Sequence, residues 1–165
     1  MRKALFRKFI KENYKIIALQ ETYLLEDDKS VLQEEWQGEF HLVPGTPNSK
    51  GLLTLFDKSI HLNDIKLIYS NERMLTSSVI INNEPVFIYN IYSPCDSTSS
   101  KVKFLDNLYT HISNTLFNEN DISKFIVLGD FNATLNVNLD IISGEPHQKR
   151  LVNNFNNFLH NLQLK

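Results

Sequence analysis

Four β-rich segments follow one another between residues 52 and 92, with only short connections between them. Branched and aromatic side chains dominate all four, as is typical of strands. The segments are Leu52–Phe56, Ile60–Tyr69, Leu75–Ile81 and Val86–Tyr92. The connection between the last two, Asn-Asn-Glu-Pro at 82–85, is of the hairpin type. Since hairpins join antiparallel neighbours, this part of the chain predicts mainly antiparallel sheet.

Helical patterns and buried strands surround this central run. Apolar residues recur at helical spacing or form short runs in six further segments. Helices are predicted over 2–13, 29–36 and 101–117 and from near Pro146, and strands over 15–20 and 124–128. The pattern predicts an α+β sandwich, in which two packed sheets have helices on their outer faces. Periodicity alone leaves other α+β folds open.

Composition limits the classes of protein to consider. The chain has 165 residues, enough for one domain with its own core, taken here as residues 1–165. It has no apolar run of membrane-spanning length, no secretory pattern at its N-terminus and one cysteine, so we expect an intracellular protein with no membrane partner. A net charge of −2 argues against a cationic nucleic-acid coat, but not against a nuclease whose metal supplies positive charge.

Two of the strands end abruptly in polar side chains. Glu21 directly follows the apolar run at 16–20 and is either a solvated carboxylate or a hard oxygen ligand for Mg²⁺. Alternation along 86–92 places Asn90 and Tyr92 on one face of their strand. Tyr92 is either a half-buried aromatic residue at a strand end or a phenol that contacts a scissile phosphate or its attacking water.

A third strand ends in Gly-Asp-Phe-Asn at 129–132. In extended backbone Asp130 and Asn132 point to one side, with Phe131 turned towards the core. The carboxylate could orient or deprotonate water while the amide donates to a phosphate oxygen. Gly129 permits a bend or a close backbone approach. The structural alternative is a Gly-Asp turn closed by an Asx-type hydrogen bond.

Together these segments resemble the endonuclease/exonuclease/phosphatase superfamily. Leu-Gln-Glu-Thr at 19–22, Asn-Ile-Tyr-Ser-Pro at 90–94 and Leu-Gly-Asp-Phe-Asn at 128–132 occur in its order and rough spacing, and the last is similar to its signature. Residues 49–55, 71–76 and 129–140 are similar to the endonucleases of LINE-type, non-LTR retrotransposons. The resemblance covers nearly the whole chain and implies the four-layer αββα fold of DNase I-like enzymes.

The resemblance also implies roles. Glu21 would ligate Mg²⁺, or Mn²⁺ in its place, and Tyr92 would contact the phosphate. Asp130 would position or activate the water, and Asn132 would hold a phosphate oxygen. Arg73 and Asn90 are weaker candidates for phosphate contacts. The reaction would be metal-assisted attack of water on phosphorus.

The chain departs from the family pattern at both ends. The family's first strand, which ends in a catalytic Asn, and its C-terminal Ser-Asp-His segment have no counterpart, so we expect a partial domain with heavily reduced turnover and uncovered sheet edges. None of the five histidines lies in the family context, and His160 is interpreted as structural or solvated.

The sequence predicts a DNA endonuclease of a retrotransposon-derived protein, nuclear and part of a polyprotein with a reverse transcriptase. Two alternatives stay open. One is a phosphatase of the same superfamily, because the shared motifs serve both chemistries. The other is an inactive remnant that at most binds nucleic acid or partner chains.

Overall fold

The computed structural model describes residues 2–46, 50–61, 64–118, 124–133 and 146–162, with backbone alone for 116–118, 146–151 and 161. Ser49, the side chain of His147 and residues 134–140, all of which entered the sequence-based predictions, lie outside the described parts. The chain divides into two compact units. The first comprises Met1–Tyr92 and Ser123–Gly129, and the second comprises Ser93–Ile122 and Asp130–Lys165.

Twelve elements follow one another along the described chain. In order they are α1 (Arg2–Lys11), β1 (Ile16–Gln20), a 3-10 turn (Glu26–Asp28), α2 (Lys29–Glu35), β2 (Phe40–Val43), β3 (Leu52–Phe56), β4 (Ile65–Asn71), β5 (Met74–Ile81), β6 (Glu84–Tyr92), α3 (Thr98–Asn118), β7 (Lys124–Asp130) and α4 (Pro146–Asn161). Among the described residues, no helix has both the length and the apolar character needed to cross a membrane.

Two sheets form the centre of the first unit. The first has the strand order β1-β3-β2 and the second has the order β4-β5-β6-β7. The β1–β3, β2–β3, β4–β5 and β5–β6 pairs are all antiparallel. Two packed, mainly antiparallel sheets combined with helices confirm the predicted α+β sandwich.

Strand β3 is buried on both faces and separates two apolar layers. Leu53 and Leu55 pack into an outer cluster with residues of α1, α2 and β1. Leu52 and Phe56 point the other way, into clusters shared with the second sheet. Since side chains alternate along a strand, one five-residue segment joins the helical layer to the space between the sheets.

Trp36, just after α2, ties the helical layer to β3. Its ring lies edge-on to Phe6 of α1, with centroids 5.5 Å apart, and its indole N–H donates to the carbonyl of Phe56 at 2.9 Å. The indole is almost fully buried, so this hydrogen bond satisfies a donor that would otherwise be costly to bury.

The turn between β5 and β6 is a two-residue hairpin. Asn82 and Asn83 both have positive φ, at 54° and 64°, as a type I′ turn requires. Glu84 and Pro85 belong to β6 and pair with Ile81 and Ile80. The predicted hairpin is confirmed. Its turn consists of the two asparagines alone, rather than of all four residues at 82–85.

Strands β6 and β7 run in the same direction up to Gly129. Lys124, the first residue of β7, forms an ion pair with Glu84, the first residue of β6. Near the other ends, Gly129 lies against the backbone of Ile91, where an added Cβ would be only 2.0 Å from the carbonyl oxygen. Gly129 also has φ +139°, so this position requires glycine for its backbone conformation and for its space.

In the second unit, α3 packs against α4. Phe131 contributes to an aromatic cluster with two buried residues of α4, its ring centroid lying 4.9 Å from that of Phe155 and 6.3 Å from that of Phe158. Phe131 therefore packs against apolar neighbours, although it is only half-buried.

Two features of the predicted secondary structure are corrected. The strand expected over 60–69 begins only at Ile65, because residues 58–60 form a turn in which the Ile60 N–H donates to the Asp57 carbonyl. Strand β2 was not predicted at all. It is four residues long and pairs with β3 from Phe40 to Val43.

Candidate functional site

The first unit brings together Glu21 and Tyr92, which are 71 residues apart in sequence. The Tyr92 hydroxyl donates a hydrogen bond to the Oε1 atom of Glu21. Glu21 directly follows β1 and Tyr92 ends β6, so the contact joins one strand from each sheet. Glu21 is half-buried and Tyr92 is almost fully buried, with 5% exposure, so the strand ends hold both side chains rigidly.

Glu21 has a left-handed backbone, with φ +52°. This conformation is uncommon for a residue with a side chain and costs roughly 1–3 kcal/mol. The segment around Glu21 is fixed by backbone hydrogen bonds, in which Thr22 donates to Gly51 at 3.4 Å and Tyr23 donates to Lys50 at 2.7 Å. The fold therefore holds the carboxylate in a conformation that the local sequence does not favour.

Lys50 provides a second partner for the carboxylate. Its Nζ atom lies 3.1 Å from Oε2 of Glu21, and it also lies 5.6 Å from the centroid of the Tyr23 ring. Two hydrogen bonds lower the pKa of Glu21 below its ordinary value. The one from Tyr92 has the larger effect and the one from Lys50 the smaller. Hydrogen bonds to Tyr23 and Glu21 raise the pKa of Lys50. Glu21 is therefore a charged carboxylate at neutral pH.

Arg73 also contacts Tyr92. Its guanidinium carbon is 5.0 Å from the centroid of the Tyr92 ring, a cation–π contact, and its carbonyl accepts the Tyr92 N–H at 2.9 Å. The turn that carries Arg73 is held by Asn71, whose Oδ1 accepts the N–H groups of Arg73 and Met74, each at 2.8 Å. A carboxylate and a phenol are thus flanked by two cations.

Asn90 is placed differently from the weak prediction that it contacts phosphate. Its side chain is fully buried between the sheets. The Nδ2 atom donates to the carbonyls of Leu19 and Leu53 and to the hydroxyl of Thr54, while Oδ1 accepts from Gln20 at 2.8 Å. These contacts give Asn90 a structural role, because no part of its amide is accessible to a ligand.

A groove of about 310 Å³ borders the exposed carboxylate. Gln20, Glu21 and Thr22 form its polar side. Most of the remaining lining is apolar and comes from Leu5, Phe6, Leu19, Leu24 and Leu53, together with Arg2. A molecule that reaches Glu21 from solvent therefore also meets an apolar surface.

The chemistry of Glu21 fits part of a ligand set for a divalent cation. Within the described ranges, no three His, Cys, Asp or Glu side chains are grouped as a metal cluster. Mg²⁺ is commonly held by one or two carboxylates and completes its shell with water and substrate phosphate. A single charged carboxylate at the edge of an open groove fits that minimal requirement.

Asp130 and Asn132 belong to the second unit and form a turn there. The Asn132 N–H donates to Oδ1 of Asp130 at 2.8 Å, which is the Asx-type closure considered as the structural alternative. Asn132 has φ +45° and β7 ends at Asp130, so of the two interpretations left open for this segment the turn is found and the extended one is not.

The same turn is anchored to the segment after β6. The Ser93 N–H donates to the Asp130 carbonyl at 2.8 Å, and Nδ2 of Asn132 donates to the Ser93 carbonyl at 2.7 Å. Asp130 is exposed and Asn132 is half-buried. The prediction that these two residues act together with Glu21 and Tyr92 stays a prediction.

Sequence reasoning missed Lys50 as a partner of Glu21, and Gln20 and Thr54 as partners of Asn90. All three lie in segments already quoted for the family resemblance, at 19–22 and 49–55. The signal for Lys50 was the glycine that follows it. Gly51 has φ +86°, and an added Cβ would lie 2.9 Å from Oγ1 of Thr22, so Gly51 marks where the two segments meet.

The chain was compared with known families, curated proteins and solved structures, and only the solved structures match it. No protein-family model matches the sequence, and no curated protein matches it either. Among solved structures, the AP endonuclease LMAP from Leishmania major matches with a TM-score of 0.70 and 15% identity over 96% of this chain and 60% of that one. The endonuclease domain of TRAS1, a telomere-specific non-LTR retrotransposon, matches with a TM-score of 0.60 and 10% identity over 94% and 64%.

A third structure, humanized D. rerio TDP2, matches with a TM-score of 0.57 and 14% identity over 87% of this chain and 59% of that one. The chain spans less than two thirds of the length of each of the three structures. All three belong to one superfamily, the one that the sequence motifs resemble. The chain has the fold of the endonuclease/exonuclease/phosphatase superfamily.

Proposed function

We propose that this chain is a Mg²⁺-dependent phosphodiester hydrolase that nicks DNA, and that it derives from a retrotransposon endonuclease. The observation that carries the proposal is the hydrogen bond between Tyr92 and Glu21, with Lys50 on the carboxylate and Arg73 on the phenol ring. A carboxylate suits a hard cation, and the phenol and two cations suit phosphate oxygens.

The comparisons support DNA as the substrate. One matching structure is an AP endonuclease, another is a retrotransposon endonuclease domain, and a D. rerio TDP2 structure is described as complexed with a single-strand DNA product. The TRAS1 match and the retrotransposon-like segments at 49–55 and 71–76 support the proposed origin. On this proposal, a reverse-transcriptase reading frame follows the gene, and sequencing the flanking DNA tests that.

Glu21 would hold the divalent cation, Mg²⁺ or Mn²⁺. A cation bound there supplies positive charge that stabilises the phosphate and the leaving oxygen. Tyr92 then acts in two ways. Its hydroxyl orients the carboxylate in the free chain, and it can donate to a phosphate oxygen when substrate is present. Arg73, fixed against the Tyr92 ring, supplies a cation for the phosphate backbone.

Asp130 and Asn132 are assigned to the water and to the phosphate. The Asx turn uses Oδ1 of Asp130 as an acceptor, which fixes the carboxylate and leaves Oδ2 to orient or deprotonate the attacking water. The amide of Asn132 has two donor hydrogens. Ser93 accepts one of them, and the other is assigned to a phosphate oxygen.

Nicking of supercoiled plasmid tests the proposal. The full chain with Mg²⁺ should convert supercoiled DNA to the nicked circle, and EDTA should abolish the conversion. Asp130→Asn and Glu21→Gln should each lower the rate by roughly 10²-fold or more, the scale of a lost general base or a lost metal ligand. Asp106→Asn and Glu12→Gln remove exposed carboxylates outside the assigned residues and should leave the rate unchanged.

Each other outcome points to a different function. Hydrolysis of small phosphoesters without nicking would favour a phosphatase of the same superfamily. A folded chain that neither nicks DNA nor hydrolyses phosphoesters would favour an inactive remnant. Nicking that survives Asp130→Asn would overturn the assignment of the water-activating residue.

A further inference from the structure

Lys50 lies on the carboxylate that we assign to the metal. Its Nζ atom is 3.1 Å from Oε2 of Glu21, while the other carboxylate oxygen accepts the hydroxyl of Tyr92. The side chains of Lys50 and Glu21 are 47% and 39% exposed, so solvent and ions reach both. The family resemblance assigns no role to Lys50.

The position of Lys50 is set by the backbone. Its carbonyl accepts the Tyr23 N–H at 2.7 Å, and the Gly51 carbonyl accepts the Thr22 N–H at 3.4 Å. The ammonium also rests over the Tyr23 ring. The segments after β1 and before β3 are thus hydrogen-bonded to each other, which keeps the lysine beside Glu21. Most exposed ion pairs lack such support and contribute little because ordering two long side chains costs entropy.

We propose that Lys50 is a positioning residue that occupies Glu21 as an internal counter-cation, and that a divalent cation must displace it to bind. The proposal rests on the metal role assigned to Glu21 in the proposed function. Two positive charges at hydrogen-bond distance from the same oxygen repel each other, so the ammonium and the metal alternate on Oε2.

The proposal predicts that removing the lysine charge strengthens metal binding. Calorimetric titration of the full chain with Mn²⁺ should show about two- to fivefold tighter binding for Lys50→Met, the scale of one exposed ion pair. Lys50→Arg retains the charge and should bind like the unaltered chain. Lys58→Met is the matched control. It removes an exposed lysine whose Nζ donates to Gln37 at 3.1 Å, and it should leave the affinity unchanged.

The experiment separates the two proposals. If Glu21→Gln abolishes binding but Lys50→Met binds no tighter than the unaltered chain, the Lys50 proposal is wrong and the metal assignment stands. If Glu21→Gln binds Mn²⁺ normally, the metal assignment fails and the Lys50 proposal fails with it. An equal gain in Lys58→Met would show a general charge effect and also overturn it. Lys50→Gln, which retains a donor but no charge, replaces Lys50→Met if that variant does not fold.

Discussion

The hydroxyl of Tyr92 donates a hydrogen bond to the carboxylate of Glu21, joining the end of β6 to the residue after β1. The contact joins a residue beside one sheet to a residue of the other, so it forms only when the two sheets are packed together. It also lowers the pKa of Glu21, because a hydrogen bond to the ionised form favours that form. The first prediction follows from this relationship.

Replacing Tyr92 with Phe should raise the pKa of Glu21 towards its ordinary value. The Tyr92 hydroxyl is the largest cause of the lowered pKa, and Lys50 would remain as the second cause. Because the folded-state pKa is depressed, this carboxylate stabilises the fold above its unfolded-state pKa, and the contribution is lost as pH falls through the folded value. The pKa can be followed by ¹³C NMR of the Glu21 carboxyl carbon. Tyr14→Phe, at an exposed tyrosine, should leave the titration unchanged.

Gly129→Ala should destabilise the chain by at least about 2 kcal/mol. The new Cβ would lie 2.0 Å from the Ile91 carbonyl oxygen, and the φ of +139° is strained for alanine. Gly45→Ala is the control, since its Cβ would meet neighbours only at ordinary contact distances of 3.5–3.6 Å. Urea unfolding of both variants checks this, and equal midpoints would contradict the strain argument.

Asn90→Leu should cost about 2–4 kcal/mol of unfolding free energy. The buried amide bonds to Gln20, Leu19, Leu53 and Thr54, and an apolar side chain leaves these buried groups without their partner. Asn114→Ala, at an exposed position of α3, should stay within about 0.5 kcal/mol of the unaltered chain. A loss below about 1 kcal/mol for Asn90→Leu would show that the network contributes little.

The stability of the chain should fall as pH drops below about 6.5, partly because of His41. Burial lowers the pKa of His41, whose Nδ1 lies 2.7 Å from Oγ of Ser77. The unfolded chain therefore binds a proton first, and the loss proceeds from the unfolded-state pKa down to the folded one. His41→Gln should flatten the fall in Tm between pH 7.5 and 5.5. Burial also lowers the pKa of His111, so His111 contributes separately. An unchanged slope in His41→Gln would assign the effect to His111.

Sequence patterns predicted most elements because long segments with regularly spaced apolar residues can be assigned to helix or strand directly. The helix over 101–117 and the strand over 52–56 are found at Thr98–Asn118 and Leu52–Phe56. Strand β2 was not predicted because four residues are too few to show an alternating pattern. Its pairing with β3 is a tertiary contact that the local sequence does not reveal. The left-handed backbone conformations of Glu21 and Asn132 were not predicted for a related reason. Left-handed backbone is usually marked by glycine, and here the surrounding hydrogen bonds impose it instead.

The candidate site was predictable in part. The motifs identified Glu21 and Tyr92, and their contact is found in the first unit. The same motifs made Asn90 a ligand candidate, whereas its amide serves the packing of the two sheets. Alternation along β6 places Asn90 and Tyr92 on one face, but it does not reveal which of the two lies deeper between the sheets.

Trp36 is the only tryptophan in the chain, and it lies in the first unit, packed on Phe6 and hydrogen-bonded to Phe56. Its fluorescence therefore reports on the contact between the helical layer and β3 and carries no tryptophan signal from the second unit. Circular dichroism at 222 nm sums the helices of both units. If the two signals change at different temperatures, the units melt separately, and coincident curves would mean that they melt as one.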